Sequence, residues 1–153
     1  MTTVALDTSV VVALSDAHDK WHAQAVSLRD ALLASRLEPL YFDCVINEAI
    51  GVIGRRAEEQ RRSEQFERLL DGLLTLIPSQ AITWISGAGE RLLPEILALC
   101  RQHQGKLNYH DALMALACRE LGVGAIVSLP PIQAGRPVPR RRSTAMPAAS
   151  RSA

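Results

Sequence analysis

Short apolar runs alternate with longer helical patterns along the first 127 residues, and this alternation is the strongest constraint on the fold. The first of these runs, Val4 to Leu6, is short and contains no polar residue, which is typical of a strand buried on both faces. Strands that alternate with helices in this way favour a parallel sheet. The sequence therefore predicts an α/β fold whose central parallel sheet is covered on both faces by helices.

The boundaries of the predicted elements follow from apolar periodicity and from residues that start or stop helices. The four candidate strands are Val4–Leu6, Leu40–Phe42, Ala81–Ile85 and Ala125–Val127. Helical patterns are predicted at 8–14, 21–37, 43–56, 66–77, 88–103 and 109–121. Pro39 is expected to break the chain before the second strand, and Asp43 is expected to cap the helix that follows it.

The composition changes abruptly near residue 128. Residues 129–153 contain five of the eight prolines, five of the 17 Lys and Arg residues and none of the 16 Asp and Glu residues. This segment has no apolar periodicity, which predicts disorder. We therefore predict one folded domain over residues 1–128 and a disordered Arg/Pro/Ala/Ser-rich tail over residues 129–153.

The cysteines and the absence of long apolar segments indicate a cytoplasmic protein. No run reaches the ~18 apolar residues that a membrane span needs, and no secretory signal is visible at the start. Cys44, Cys100 and Cys118 are widely spaced and lie in apolar helical patterns. We expect buried thiols in a reducing compartment, and no membrane partner.

Three acidic residues lie where a predicted strand passes into a helix, or in the first turns of a helix. Asp7 ends the first strand, Glu48 lies in the helix after the second strand, and Asp111 begins the last helix. The carboxyl ends of parallel strands meet at one edge of the sheet, so these carboxylates are expected to converge. A pocket of like charges is unfavourable unless a cation fills it. This arrangement predicts a Mg²⁺ or Mn²⁺ site and metal-assisted chemistry on a phosphate.

Structural roles remain as alternatives for each of these acids. Asp7 can cap a helix, and Asn108 with Asp111 has the pattern of a capping box. Glu48 borders an apolar stripe, so its carboxylate should have a partner. Asp19 and His22 could pair one turn apart, although a capping or surface role for them is the simpler interpretation. Glycine-rich phosphate loops and the spacings of zinc ligands are absent from the sequence.

Five segments carry a resemblance to a known family through their order and spacing. They are Val4–Ser9, Asp19-x-x-His22-x-x-Ala25, Val45–Ala49, Leu107–Leu113 and Ala117–Gly122. Over residues 3–127 the chain resembles PIN-domain ribonucleases of the VapC-like kind, which are toxins of type II toxin–antitoxin systems.

The resemblance implies a three-layer α/β/α sandwich and a Mg²⁺- or Mn²⁺-dependent endoribonuclease with RNA as its substrate. Asp7, Glu48 and Asp111 match the catalytic, metal-binding acids of that family. The resemblance also implies a cognate antitoxin, and it leaves a homodimer open. We expect the antitoxin to bury apolar helix surface at residues 10–21 and 55–74, and to place an arginine against the acids.

One departure from the family pattern concerns the end of the fourth strand. The family usually continues with Thr-x-Asp, whereas this chain has Ser128-Leu129-Pro130, so a proline stands where a fourth acid is expected. The last strand of the sheet is also predicted to be missing, which suggests a frameshifted or replaced C-terminus. The alternative function is therefore a catalytically impaired PIN-fold protein that binds antitoxin or RNA without efficient cleavage. A DNA-directed nuclease is a third, weaker hypothesis.

Overall fold

The computed structural model describes residues 2–129 and the backbone of residues 136–137. The strands are β1 (Thr2–Leu6), β2 (Leu37–Phe42), β3 (Ile82–Thr83), β4 (Ala125–Val127) and β5 (Arg136–Pro137). The helices are α1 (Thr8–Ser15), α2 (His22–Ala34), α3 (Asp43–Glu59), α4 (Phe66–Leu76), α5 (Gly89–Gln102) and α6 (Tyr109–Leu121). Within this part of the chain, no helix has both the length and the apolar character needed to cross a membrane.

Strands β1 to β4 form a parallel sheet in the order β3-β2-β1-β4. The chain moves outward from β1 to β3 and then crosses to the other side of β1 to form β4. Because such crossovers are right-handed, this reversal places α1 to α4 on one face of the sheet and α5 and α6 on the other. The three-layer α/β/α sandwich with a central parallel sheet is thereby confirmed.

A fifth strand pairs with the outer edge of β4, contrary to the expectation that the last strand would be missing. Arg136–Pro137 pairs antiparallel with Ala125 and Ile126, so a two-residue strand takes this position. No parallel fifth strand is present in the described ranges. Leu129 is buried and its N–H donates to Ser9 Oγ at 2.9 Å, so this residue packs against the start of α1. Apart from the backbone of residues 136–137, the rest of the predicted tail, including Pro130, lies outside the described residues.

Strand β2 starts earlier than predicted, because α2 ends at Ala34 and the chain reverses at Arg36, whose φ is 57°. The prediction that Pro39 breaks the chain is wrong, since Pro39 lies within β2 and pairs with Val4. Strand β3 begins only opposite Tyr41. At Pro39 the other side of β2 is therefore a sheet edge, where a missing N–H removes no ladder hydrogen bond.

Strand β3 is also shorter than predicted, and the side chain of Asp43 accounts for the end of its pairing. Phe42 occupies the N-cap position of α3, so the prediction that Asp43 caps this helix is wrong. The Asp43 carboxylate instead accepts hydrogen bonds from the backbone N–H groups of Ile85 at 2.8 Å and Ser86 at 3.2 Å. This buried carboxylate therefore fixes the start of α3 to the segment that leaves β3.

Helix α1 lies inside the core and has no exposed residue. Its apolar residues are all buried: Val10, Val11, Val12, Ala13 and Leu14. It packs against α2, α3 and α4, while α5 and α6 pack against each other. The apolar residues 10–14 are therefore not available as an antitoxin anchor, whereas Trp21 is partly exposed. The expected contact of an antitoxin with residues 10–21 and 55–74 stays a prediction.

The three cysteines are free thiols in the structure. Cys44 and Cys118 are buried, and burial raises the pKa of both thiols to about 12. Such thiols are protonated and unreactive at neutral pH. The prediction of buried thiols is confirmed for these two cysteines, whereas Cys100 is only partly buried.

We expect Asp43→Ala to destabilise the domain by about 2 kcal/mol, because the buried N–H of Ile85 and the partly buried N–H of Ser86 lose their acceptor. Burial raises the pKa of Asp43, but hydrogen bonds from Ser86 and from the Ile85 N–H outweigh it and hold the pKa below its ordinary value. The folded state therefore favours the ionised carboxylate, and this stabilisation is lost as pH falls below about 4.

Urea unfolding at pH 7 and at acidic pH would measure this difference between Asp43→Ala and the parent. The surface variant Asp30→Ala serves as the control, since the Asp30 side chain is exposed. A deficit for Asp43→Ala that is equally large at pH 7 and well below pH 4 would contradict the role assigned to the ionised carboxylate.

Candidate active site

The site lies where the strand order reverses, between β1 and β4. Open α/β sheets form a crevice at this position, outside the carboxyl ends of the strands. Asp7 follows β1, and its backbone N–H donates to the Val127 carbonyl at 2.9 Å. The Ser128 hydroxyl, which follows β4, donates to Asp7 Oδ2 at 3.0 Å. These two bonds hold the first acid against the end of the neighbouring strand.

Asp7 combines the capping role with the predicted position in the site. It is the N-cap of α1, and its Oδ1 accepts a hydrogen bond from the Thr8 N–H at 2.8 Å. Both carboxylate oxygens therefore have a donor within the protein. Each oxygen keeps a further lone pair, so the orientation of the carboxylate is fixed while its capacity to bind a cation remains.

Glu48 lies in the second turn of α3 and is exposed to solvent. The Thr8 hydroxyl donates to Glu48 Oε2 at 2.8 Å, and Thr8 itself is buried with 7% exposure. The partner expected for this carboxylate is therefore a hydroxyl from the first turn of α1. Thr8, which follows Asp7 in the sequence, therefore orients the second acid, Glu48.

Asp111 stands in the first turn of α6, and the predicted capping box is confirmed. Asn108 Oδ1 accepts from the Asp111 N–H at 2.9 Å, and Asp111 Oδ2 accepts from the Asn108 N–H at 3.3 Å. The reciprocal bonds fix the start of α6 beside the crevice. A structural role thus explains the position of Asp111 without removing its carboxylate from the site.

The three acids line one cleft of about 360 Å³. Its lining residues come from α1, α3, α6 and the adjoining turns: Asp7, Thr8, Ser9, Val12, Glu48, Val52, Arg55, Arg56, Asn108 and Asp111. The acids are distant in sequence, so the fold alone brings them together. All three acids therefore border the same space, while their roles in the site stay a prediction.

The donor chemistry of the cleft suits a hard divalent cation, because its acidic ligands are all carboxylate oxygens. Among the described residues, however, no three side chains of His, Cys, Asp or Glu lie close enough together to hold one ion. Magnesium commonly takes one or two protein carboxylates and completes its shell with water and substrate oxygens. The cleft fits that mode of binding better than an all-protein cage.

Two arginines of the cleft are absent from the sequence-based set of site residues. Arg55 and Arg56 begin a stretch of mixed charge, a pattern that is typical of solvated helix surface. Their spacing from Glu48 and Val52 along α3 places all four residues toward one side of the helix, and this was the available signal. Which side of α3 lies over the crevice depends on its packing against α1 and α4, and this packing is not visible in the sequence.

Arg56 forms an ion pair with Asp19, whose side chain is only 5% exposed. Asp19 also accepts from the Trp21 N–H at 2.8 Å, while His22 Nδ1 lies 2.7 Å from the Ala13 carbonyl oxygen. The side chains of Asp19 and His22 therefore do not pair with each other, and the simpler structural interpretation of Asp19 is confirmed. Arg56 joins α3 to the turn that follows α1.

These features define a protein with the PIN-like α/β/α fold and an acidic cleft at the switch point of its sheet. The fold is similar to that of Mycobacterium tuberculosis VapC20, a Sarcin-Ricin loop cleaving toxin known from a crystal structure. The TM-score is 0.57 and the sequence identity is 18%, over 82% of this chain and 88% of VapC20. At this identity the likeness establishes the fold, and the activity must be inferred from the site.

Neither protein-family models nor curated proteins match the sequence.

We expect Arg56→Ala to destabilise the domain by about 1 to 3 kcal/mol, because the nearly buried Asp19 carboxylate loses its cationic partner. The neighbouring variant Arg55→Ala should stay within about 0.5 kcal/mol of the parent, since the exposed Arg55 side chain forms no such pair with the described residues. Urea unfolding of the two variants tests this contrast. Equal loss of stability in both variants would show that the ion pair between Arg56 and Asp19 does not account for the effect of Arg56→Ala.

Proposed function

We propose that this protein is a Mg²⁺- or Mn²⁺-dependent endoribonuclease and the toxin of a type II toxin–antitoxin pair. The observation that carries the proposal is the position of Asp7, Glu48 and Asp111, which line one cleft at the switch point. The similarity to an RNA-cleaving toxin supports it at the level of the fold.

Each acid has a distinct part in this proposal. Asp7 and Asp111 would hold the divalent cation together with water and substrate oxygens, and Glu48 would orient the attacking water. When bound, Mg²⁺ or Mn²⁺ lowers the pKa of a coordinated water and neutralises charge on phosphoryl oxygens. The product ends expected from this chemistry are a 3′-hydroxyl and a 5′-phosphate.

Neighbouring hydroxyl groups support the acids. Ser128 donates to Asp7, and Thr8 donates to Glu48, so both carboxylates have fixed orientations before any ligand arrives. Such outer contacts commonly change metal affinity or activity by about 10- to 100-fold when they are removed. The cleft is therefore organised by neutral donors, which leave the negative charge of the acids in place.

A catalytically impaired protein that binds RNA or antitoxin is the second candidate. Two observations favour it: no three acidic or imidazole ligands cluster within the described residues, and Pro130 stands where the family pattern has a fourth acid. Under this alternative, RNA binds to the purified protein while divalent cations produce no cleavage. A cleavage assay separates the two candidates directly.

We expect the purified chain to cleave single-stranded or looped RNA with Mg²⁺ or Mn²⁺ and to lose that activity in EDTA. Asp7→Asn and Glu48→Gln should each lower the rate by roughly 100-fold or more, because the carboxylates act through the cation. Asparagine caps helices as well as aspartate does, so Asp7→Asn should preserve the fold.

The matched control for cleavage is Glu38→Gln, an exposed carboxylate near the start of β2 and away from the cleft. It should cleave as the parent does. Equal rates for Asp7→Asn, Glu48→Gln and the parent would refute the assignment of the site, even if the preparation degraded RNA.

The cognate partner is proposed to be a small antitoxin that meets this protein in the cytoplasm. The antitoxin would insert a positively charged group among the acids. An arginine is suited to this role, because its guanidinium pairs with carboxylates in bidentate geometry. Buried α1 cannot supply the apolar contact, whereas Trp84 is 74% exposed and Leu93 and Leu97 of α5 are each 42% exposed. A second copy of the chain could use the same apolar side chains.

Co-expression with the neighbouring small reading frame should yield a stable complex that blocks RNA cleavage. Substituting the partner's inserted arginine by alanine should restore cleavage, since the acids would again be open to a cation. Affinity purification and the RNA assay provide the measurements. Recovery of this chain alone, with the neighbouring frame verifiably expressed, would argue against the toxin–antitoxin assignment.

A further inference from the structure

We propose that Arg55 is a phosphate-binding residue of the cleft, which holds the RNA backbone beside the scissile phosphodiester. The inference rests on the proposed ribonuclease function and adds a binding group to it. Arg55 would bind a phosphate next to the scissile one, and the acids with their cation would bind the scissile phosphate.

The position of Arg55 follows from the course of α3. Glu48, Val52 and Arg55 are separated by four and three residues, so they lie on one face of the helix, and all three line the cleft. Arg55 is seven residues beyond Glu48, or roughly 10 Å along the helix axis. This separation suits contact with a neighbouring phosphate of a bound strand.

The availability of Arg55 distinguishes it from the adjacent arginine. Arg56 is engaged by Asp19, whereas Arg55 forms no ion pair and no side-chain hydrogen bond within residues 2–129. Arg55 is also exposed. Its guanidinium therefore keeps the planar set of donors that matches two oxygens of a phosphate.

The charge of the cleft explains why such a residue is needed. Three carboxylates repel a polyanion, and residues 1–127 contain all of the chain's acids but only part of its Lys and Arg. A nucleic acid must therefore be attracted by local cations. Asn108 adds a neutral donor, because its Oδ1 accepts from the Asp111 N–H and its amide NH₂ remains to donate.

The test is equilibrium binding of the full chain to a fluorescein-labelled oligouridine of about 12 nucleotides in EDTA, where cleavage is not expected. Fluorescence anisotropy at several salt concentrations gives both the affinity and its salt dependence. Arg55→Gln should weaken binding by about tenfold at low salt. It should also reduce the slope of log affinity against log salt by about 0.7, the value for one phosphate contact on a single strand.

Two further variants separate charge from geometry and position. Arg36→Gln is the matched control, because Arg36 is exposed and precedes β2, at the amino ends of the strands, whereas the cleft lies at their carboxyl ends. It should bind as the parent does. Arg55→Lys should keep the salt slope and lose part of the affinity, since lysine retains the charge without the bidentate geometry.

Unchanged binding by Arg55→Gln, an equal loss in Arg36→Gln, or no RNA binding by the parent would each overturn the role of Arg55. These outcomes leave the proposed function to be decided separately, by cleavage with the parent and Asp7→Asn. Loss of cleavage in Asp7→Asn together with unchanged RNA binding in Arg55→Gln would retain the nuclease and remove only the phosphate contact.

Discussion

The pairing of β1 with β4 is the constraint on which the rest of the site depends. It creates the point where the strand order reverses, and it places the residues after the two strands side by side. The Ser128 hydroxyl donates to Asp7 Oδ2 at 3.0 Å and so joins the carboxyl ends of the two strands, although the residues are 121 positions apart in the sequence. A carboxylate held there also caps α1, so sheet, helix and cleft share one residue. Altering this contact would change all three together.

Much of the fold was predictable because local sequence signals and the tertiary structure agree. The bounds of β4 and α6 match the prediction, since Asn108 caps α6 and Gly122 ends it with a φ of 70°. The errors occur where neighbouring elements decide the outcome. Pro39 is tolerated in β2 because β3 is too short to reach it, and β3 is short where Asp43 binds the backbone that leaves it. Neither relation is visible in the sequence around those residues.

The candidate site was predictable in part for the same reason. The acids stand at strand ends and helix starts, and topology brings such positions together. The contacts that orient them were only partly foreseen: Thr8 with Glu48 and Ser128 with Asp7 depend on the packing of separate elements. Arg55 and Arg56 were missed because charged helical stretches are usually solvated. What distinguishes the two arginines is Asp19, which lies far from them in sequence and occupies only one of them.

Six of the eight residues of helix α1 are buried and Ser9 and Ser15 are only partly exposed, which limits how far the cleft can change its shape. A helix packed in this way cannot tilt or shift unless the surrounding close-packed side chains rearrange with it. The orientation of Asp7, the N-cap of α1, is therefore held by the packing of the hydrophobic core. A cavity created next to α1 would let the helix shift and would move Asp7. The reaction rate in the cleft and the free energy of unfolding should therefore fall together.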